Sequence, residues 1–294
     1  MSTQYPIVLT RYIRRLRGGS QPILAEANDG RIYVVKFSEN IQGSNLLFNE
    51  CMGTELYLAC GLPVAPWKLI RVTNAFLDQN HSCWIQTPEG TVRPSSGACF
   101  GSLFLGNKAN QLYEILPKTY FERVKNRLDF WASWLIDICA SHDDNRQSIF
   151  RVGHKKQLEA VFIDHGHMFG GPKGERDPNF MVSRYLDLRI YEKPSESFLQ
   201  TLLDQLAMLN VNLLWNQSRK LPDEWKIDLA INNFAKCLDR ISDNGFLQSV
   251  LTMIMGSHHQ AGEYEQFYRI ERNCISSDLH TLVCRKRVQQ SGVM

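Results

Sequence analysis

The chain has 294 residues, 44% of them hydrophobic, and a formal charge of +3, enough for a sizeable core in one large domain or two lobes and too little charge to demand nucleic acid or membrane as a partner. Its eight cysteines include no Cys-x-x-Cys pair, which argues against a secreted disulfide framework or zinc ribbon and points to reduced thiols in a cytoplasmic protein. The opening MSTQYPIVLT lacks the basic-then-apolar order of a signal peptide, and no uncharged apolar run approaches the ~20 residues of a membrane span.

Residues Tyr5 to Tyr12 read as a strand, and Arg11, Arg14, Arg15 and Arg17 lead into Gly18-Gly19-Ser20-Gln21-Pro22. Glycines let the backbone approach a phosphate closely, and their N–H groups can cradle it. An ordinary hairpin turn flanked by solvated arginines is the plain alternative. Ile23 to Ala27 alternates weakly, Asn28-Asp29-Gly30 signals a tight turn, and Arg31 to Phe37 is a strand with Lys36 among apolar neighbours. A helix is expected over Ser44 to Cys60, stopped by Gly61. Leu46, Leu47, Glu50, Thr54 and Tyr57 share one of its faces, which makes Glu50 an inward charge, costly unless paired. Lys36 is the expected partner, since Glu55 falls on a more polar flank. Trp67 to Val72 and Cys83 to Gln86 read as strands, Gly90 to Ser96 as a loop, and Ala98 to Ser102 closes the β-rich part. The division placed here gives a β-rich lobe over 1–100, a mostly helical lobe over 101–245, and a helical extension with a basic tail over 246–294; a kinase reading would make the first nucleotide-binding and the second catalytic.

Beyond the junction, Gln111 to Leu116 reads as a short helix stopped by Pro117. Lys118 to Cys139 reads as one long amphipathic helix, with Phe121, Val124, Leu128, Trp131, Leu135 and Ile138 at helical steps. It delivers the chain to Ser141–Gly170: a polar loop with Asp143 and Asp144, a strand at Ser148 to Val152, a charged turn, a strand at Leu158 to Ile163, then Asp164-His165-Gly166. A hairpin brings its ends together and so places Asp144 near Asp164. Two such carboxylates divide labour, one orienting a hydroxyl and one holding a divalent metal. Protein kinases pair a catalytic-loop Asp with a metal-binding Asp in this order, downstream of a Gly-rich loop and a strand lysine. The Gly- and Pro-rich stretch from Gly170 to Asn179 suits a mobile activation or substrate loop. Phe198 to Leu209, Leu213 to Leu214, Glu224 to Ile241, Phe246 to Met255 and part of Tyr264 to Val283 read as helices.

With these residues in order, the chain resembles the HipA-like kinase family in its compact branch. The likeness lies in Arg14 to Gln21, Tyr33-Val34-Val35-Lys36-Phe37, Asn49-Glu50, Phe100-Gly101-Ser102, Asp144-Asn145-Arg146-Gln147 and Phe162-Ile163-Asp164-His165-Gly166. The resemblance implies an α+β, two-lobed protein-kinase-like fold and transfer of the ATP γ-phosphate, with Mg²⁺, to a protein Ser/Thr hydroxyl; a small-molecule acceptor is kept open. It implies that Gly18, Gly19, Ser20 and Gln21 cover the phosphates, that Lys36 holds them and is paired by Glu50, that Asp144 is the base and that Asp164 binds metal. Two positions depart from the pattern. Five residues after Asp144 stands Ile149 rather than a metal-binding Asn, so Gln147 or Asn145 must substitute. Ile23 also stands where many relatives carry a phosphate-facing Lys. The missing Asn motivates a second reading, a nucleotide-binding pseudokinase acting as an interaction module. A third is a metallohydrolase built on His142, Asp143, Asp144, Asp164, His165 and His167. Asp143 competes with Asp144 for the role of base, and Ser20 is a candidate for self-phosphorylation.

Overall fold

Short runs of β-branched and aromatic residues, separated by turns, close into a five-stranded barrel. The computed structural model describes residues 7–106, 112–153, 157–175 and 183–256. Strands β1 (Ile7–Arg15), β2 (Ile23–Ala27), β3 (Ile32–Lys36) and β4 (Trp67–Val72) precede a small hairpin of β5 (Ile85–Thr87) and β6 (Gly90–Val92), and β7 (Gly97–Leu103) follows. The barrel order is β1-β2-β3-β7-β4, closed by parallel pairing of Ile7 with Ile70. Alternation sends Ile23, Ala25, Tyr33, Val35, Ile70, Val72 and Cys99 inward, where they form one buried cluster. The β2–β3 turn needs Gly30, whose φ of +74° is left-handed.

Helix α1 (Leu46–Ala59) follows the barrel's third strand, and from Leu46 to Tyr57 every residue except Glu55 is buried. The one-faced helix expected here is therefore a core helix covered all round. Gly61, with φ +75°, ends it and donates its N–H to the Leu58 carbonyl.

The second half holds a three-stranded sheet ordered β10-β9-β8, with β8 (Leu112–Tyr113), β9 (Gln147–Val152) and β10 (Leu158–Ile163). The β9–β10 hairpin is in continuous register from Gln147↔Ile163 to Val152↔Leu158. Behind it lies α3 (Asp129–Cys139), buried from Phe130 to Cys139. Helices α4 (Glu196–Ala207), α5 (Val211–Ser218) and α6 (Asp228–Ser242) follow, the first two capped by Ser195 and Asn210.

Several elements differ from the sequence reading. Residues 118–139 do not form one helix: between a 3-10 turn at Lys118–Arg123 and α3 lie a bridge at Val124 and turns over residues 125–128. Val124 bridges Leu158, and Asn126 bonds both the N–H and the C=O of Ala160, so the edge of β10 takes residues that helical propensity favours. The same edge competition makes Leu112–Tyr113 a strand on β9 rather than a helix, while Gln111 lies outside the described residues. The loop expected at Gly90–Ser96 begins with β6, and a short helix α2 (Asn74–Gln79), capped by Thr73, went unread. β7 runs straight through the junction placed at residue 100.

Residues Met1–Val250 make one compact unit and Leu251–Met294 a second, of which residues 251–256 are described and helical. Among the described residues no helix is long and apolar enough to cross a membrane. The described cysteines are free thiols.

Candidate active site

Three elements converge on Lys36. It is the last residue of β3, opposite Phe100 on β7, and its ammonium forms an ion pair with Glu50 from α1. Lys36 Nζ also lies 2.7 Å from Oδ1 of Asp164, the residue that leaves β10. The Lys36 and Glu50 side chains are 8% and 3% exposed, so neither charge is stable there alone. Burial on its own would lower the Lys36 pKa, but Asp164 and Glu50 hold it above its ordinary value. Burial likewise works against ionised Asp164, yet the Lys36 ammonium carries its carboxyl well below the usual range. Glu50 is raised, by burial first and by the nearby Asp164 charge against the pull of Lys36.

The second oxygen of Asp164 is also held. Gln147, at the start of β9, donates from Nε2 to Asp164 Oδ2 at 2.8 Å. Asp164 itself has φ +61°, a left-handed conformation that a non-glycine residue adopts at a cost and that recurs where a side chain must be aimed.

The segment after Asp164 is bolted to α1. Gly166 N–H donates to Glu50 Oε1 at 2.9 Å, and a Cβ built on Gly166 would stand 2.8 Å from that oxygen and closer still to Leu46 Cδ1. One turn along the helix, a Cβ built on Gly53 would meet His165 Cβ and Met168 Sδ, both at 2.5 Å. Asn49 Nδ2 reaches the carbonyls of Gly166, Met168 and Gly171 at 3.0, 2.7 and 3.1 Å. Asn233 of α6 bonds the Phe169 and Gly174 carbonyls. The start of the stretch expected to be mobile, residues 170–175, is thus pinned by side-chain amides; residues 176–179 of it lie outside the described residues. Gly166→Ala is expected to push Glu50 off this wall, lowering turnover roughly tenfold or more through a misplaced Lys36. Steady-state rates beside thermal melts test it, and full activity in a folded variant would refute the role of the close approach.

Asp143 and Asp144 part company. His167 Nδ1 lies 2.6 Å from Asp143 Oδ1, and the Asp143 N–H donates to the His167 carbonyl. Asp144 is half-buried and accepts the Asn145 N–H at Oδ1, and no other side chain bonds its carboxylate among the described residues. His142 is buried and pushed down to about 4, by burial first and the Arg146 charge second. His165 is buried too and held neutral by the same causes, with its ring 4.6 Å from that of Tyr57.

Arg146 was quoted in the sequence motif but given no role. Its side chain is fully buried and forks onto Asp137 of α3, Nε to Oδ2 at 2.7 Å and Nη2 to Oδ1 at 2.5 Å. Nη1 donates to the Ile163 carbonyl at 3.0 Å, and the guanidinium lies over Tyr57, whose hydroxyl also donates to Asp137. One residue thereby ties α1, α3, the loop before β9 and the end of β10. A signal existed: Asp137 is an acidic residue amid the apolar steps of a helix, which calls for a buried cation. Arg146→Lys keeps the charge but loses the planar fork, and is expected to cost about 1.5–3 kcal/mol in urea unfolding. An unchanged midpoint would show the fork to be dispensable.

The Gly-rich segment is a tight turn, with Gln21 N–H on the Gly18 carbonyl at 3.0 Å and Gln21 at φ +46°. Gln21 is fixed from outside by the Gln86 backbone, and Ser20 is buried, its carbonyl held by Asn40. Arg15 belongs to β1 and bonds Gln21 and the Trp84 carbonyl, so it braces this turn. Ile23 is fully buried in the barrel core. Among the described residues, no group of three or more His, Cys, Asp or Glu side chains could hold a metal ion, which leaves the metallohydrolase reading without support.

Among solved structures, the Helicobacter pylori proinflammatory kinase CtkA is 12% identical with a TM-score of 0.50, over 82% of this chain and 94% of that one. A Golgi casein kinase is 12% identical with a TM-score of 0.50, over 85% of this chain and 72% of that one. Another structure of the Golgi casein kinase, with Mn/ADP bound, is 12% identical with a TM-score of 0.48 over 84% and 72%. The two at 0.50 share a protein-kinase-like fold with this chain. No curated protein sequence matches it. The family model of the HipA-like kinases matches residues 9–249, so the chain belongs to the HipA-like kinase family.

Proposed function

We propose that this kinase transfers the γ-phosphate of ATP, with Mg²⁺, to a Ser/Thr hydroxyl of a protein. The observation that carries the reading is the Lys36 ammonium held between Glu50 and Asp164 where β3, α1 and β10 meet. A fixed cation at that point neutralises nucleotide phosphates, and phosphoryl transfer depends mainly on positioning and charge. The barrel would cover the nucleotide, with Gly18, Gly19, Ser20 and Gln21 over the phosphates. The helical part would carry the acceptor. A protein or small-molecule acceptor both fit this chemistry, and the Ser/Thr choice rests on family likeness. The free thiols support a cytoplasmic setting.

The residues present fit a magnesium ion. Asp164 offers a carboxylate with a 27% exposed side chain, and Gln147 an amide whose oxygen is a hard donor. Mg²⁺ is ordinarily held by one or two such groups plus substrate phosphates, so a larger protein cage is not required. When bound, the ion would neutralise charge on the phosphate oxygens. Asp144 is the proposed base, because the Asp143 carboxylate is already engaged by His167. In the transfer, the acceptor oxygen bonds to the γ-phosphorus as the bond to the β,γ-bridging oxygen breaks; the hydroxyl proton passes to Asp144, and ADP leaves.

One observation favours the pseudokinase reading. Ile149, where a metal-binding Asn is usual, lies inside β9 opposite Val161. Gln147 must then do the work from two residues earlier. Turnover against magnesium concentration separates the readings. Gln147→Ala is expected to raise the magnesium concentration for half-maximal rate by roughly tenfold, the cost of about one hydrogen bond to a charged group. Identical curves would remove Gln147 from the metal site. No transfer by wild type to any acceptor, with ATP still bound, would make the protein a pseudokinase.

A further inference from the structure

A transferring phosphoryl group gathers negative charge, yet the side chains around its place are acidic: Asp143, Asp144 and Asp164. Arg146, the one basic residue of the catalytic loop, is fully buried against Asp137. Lys36, the proposed phosphate-binding cation, shares its charge with Glu50 and Asp164. His167 is a further nitrogen donor there that can carry charge. Its Nδ1 is fixed on Asp143, a carboxylate only 8% exposed and walled in by Gly171, where a Cβ would meet the carboxyl carbon at 2.7 Å. Its Nε2 lies 3.3 Å from Gln42 Nε2, and a Cβ on Gly19 would be 2.6 Å from that same amide nitrogen. Gln42 therefore spans from His167 to the underside of the Gly-rich turn. Among the described residues, His167 is the one hydrogen-bonding partner of its amide.

We propose that His167 Nε2 donates to the terminal phosphate of bound ATP, displacing the Gln42 amide, with Asp143 as the positioning residue that fixes the ring. The proposal rests on the phosphotransferase reading and adds to it a contact that distinguishes ATP from ADP. With Nδ1–H on Asp143, donation from Nε2 requires the imidazolium. Burial alone would disfavour that form, but the Asp143 hydrogen bond and charge, with Asp164 and Asp144 beyond, raise the His167 pKa instead. With the ring neutral, Nε2 accepts from the Gln42 amide; with the ring protonated, the same nitrogen faces a second donor and turns to the phosphate in a charge-assisted bond. The Gln42 bridge thus links the Gly-rich turn to the segment after β10, and on this proposal it yields to nucleotide.

The test is calorimetric binding of MgATP and MgADP, measured separately, to wild type, His167→Asn and Gln42→Ala, with thermal melts as the check on folding. Asn places an amide nitrogen near the Nδ1 position and keeps the Asp143 bond, but has no donor at Nε2. His167→Asn is expected to weaken MgATP by about tenfold or more, the loss of one hydrogen bond to a charged group, with MgADP unchanged within about twofold. Gln42→Ala is expected to tighten MgATP. A purely structural role for His167 would weaken both nucleotides alike, and that result, or no change in either, would overturn the proposal. Should His167→Asn fail to fold, Gln42→Ala decides alone: unchanged or weaker MgATP binding overturns it. Wild type binding neither nucleotide would instead overturn the reading beneath, a failure visible before any variant is compared.

Discussion

Asp164→Asn is expected to reduce phosphoryl transfer by about 10²–10³-fold while leaving the protein folded. Asp164 receives Lys36 on Oδ1 and Gln147 on Oδ2, and an amide can keep the first of these bonds. Its nitrogen then opposes Gln147 Nε2, which a turn of the Gln147 amide relieves. What the amide lacks is the negative charge that, on the proposed function, would draw a divalent cation to the phosphates. The electrostatics shift in a definite direction. Asp164 holds Glu50 up and Lys36 up, so without its charge Glu50 ionises more readily and pairs with Lys36 alone. Acid sensitivity follows the same logic. Asp164 has a depressed carboxyl, so the stability it contributes is present above its ordinary value of 3.8 and is lost as pH falls below that. The variant is expected to lose less stability than wild type between neutral pH and pH 3. Single-turnover transfer with melts at both pH values checks this. A folded variant with undiminished transfer would remove Asp164 from the chemistry.

What could be read from the chain follows from which forces are local. The β2–β3 strands, the Gly61 helix end, the Trp67–Val72 strand and the β10 strand have patterns complete within a few residues, and they stand where periodicity put them. The ion pair of Lys36 and Glu50 was legible for a related reason: each is a charge on an inward position, so each needs the other. The breaks came where a distant strand edge outbid local preference. Val124 to Asn126 carry helical spacing but are claimed by β10, and Leu112–Tyr113 by β9. Helix α1 reads as one-sided from Leu46, Leu47, Glu50, Thr54 and Tyr57, and that face leaves out Asn49 and Gly53. They are buried because the Asp164–Gly171 segment lies on them, a surface no local pattern reveals. His167 escaped a specific role for the same reason: its partners, Asp143 and Gln42, lie 24 and 125 residues away.

Lys36→Met removes the cation from two carboxylates and is expected to abolish measurable transfer and to cost stability as well. Met fills much of the same volume along β3, so packing is nearly kept. Glu50, 3% exposed, is then a buried carboxylate with no counter-charge, and Asp164 faces it across the vacated position. Breaking a buried pair from one side typically costs about 3–5 kcal/mol. Part of that cost is avoided if Glu50 takes a proton, and its carboxyl is already raised with Lys36 present. A carboxyl with a folded-state pKa above its unfolded value contributes stability that is full below the unfolded value and is lost as pH rises through the folded one. The deficit of Lys36→Met should therefore be small near pH 5 and grow toward pH 8. In wild type the ammonium is held above its ordinary 10.5, so Lys36 stays charged across this whole range. Adding Glu50→Gln should flatten the pH dependence and recover stability, since a neutral amide replaces the stranded charge, while transfer stays absent because the proposed phosphate-binding cation is still missing. Urea unfolding from pH 5 to pH 8 on both variants measures this directly. A deficit independent of pH would mean that Glu50 does not bear the lost charge, and transfer by the single variant near the wild-type rate would place the phosphate-binding group elsewhere.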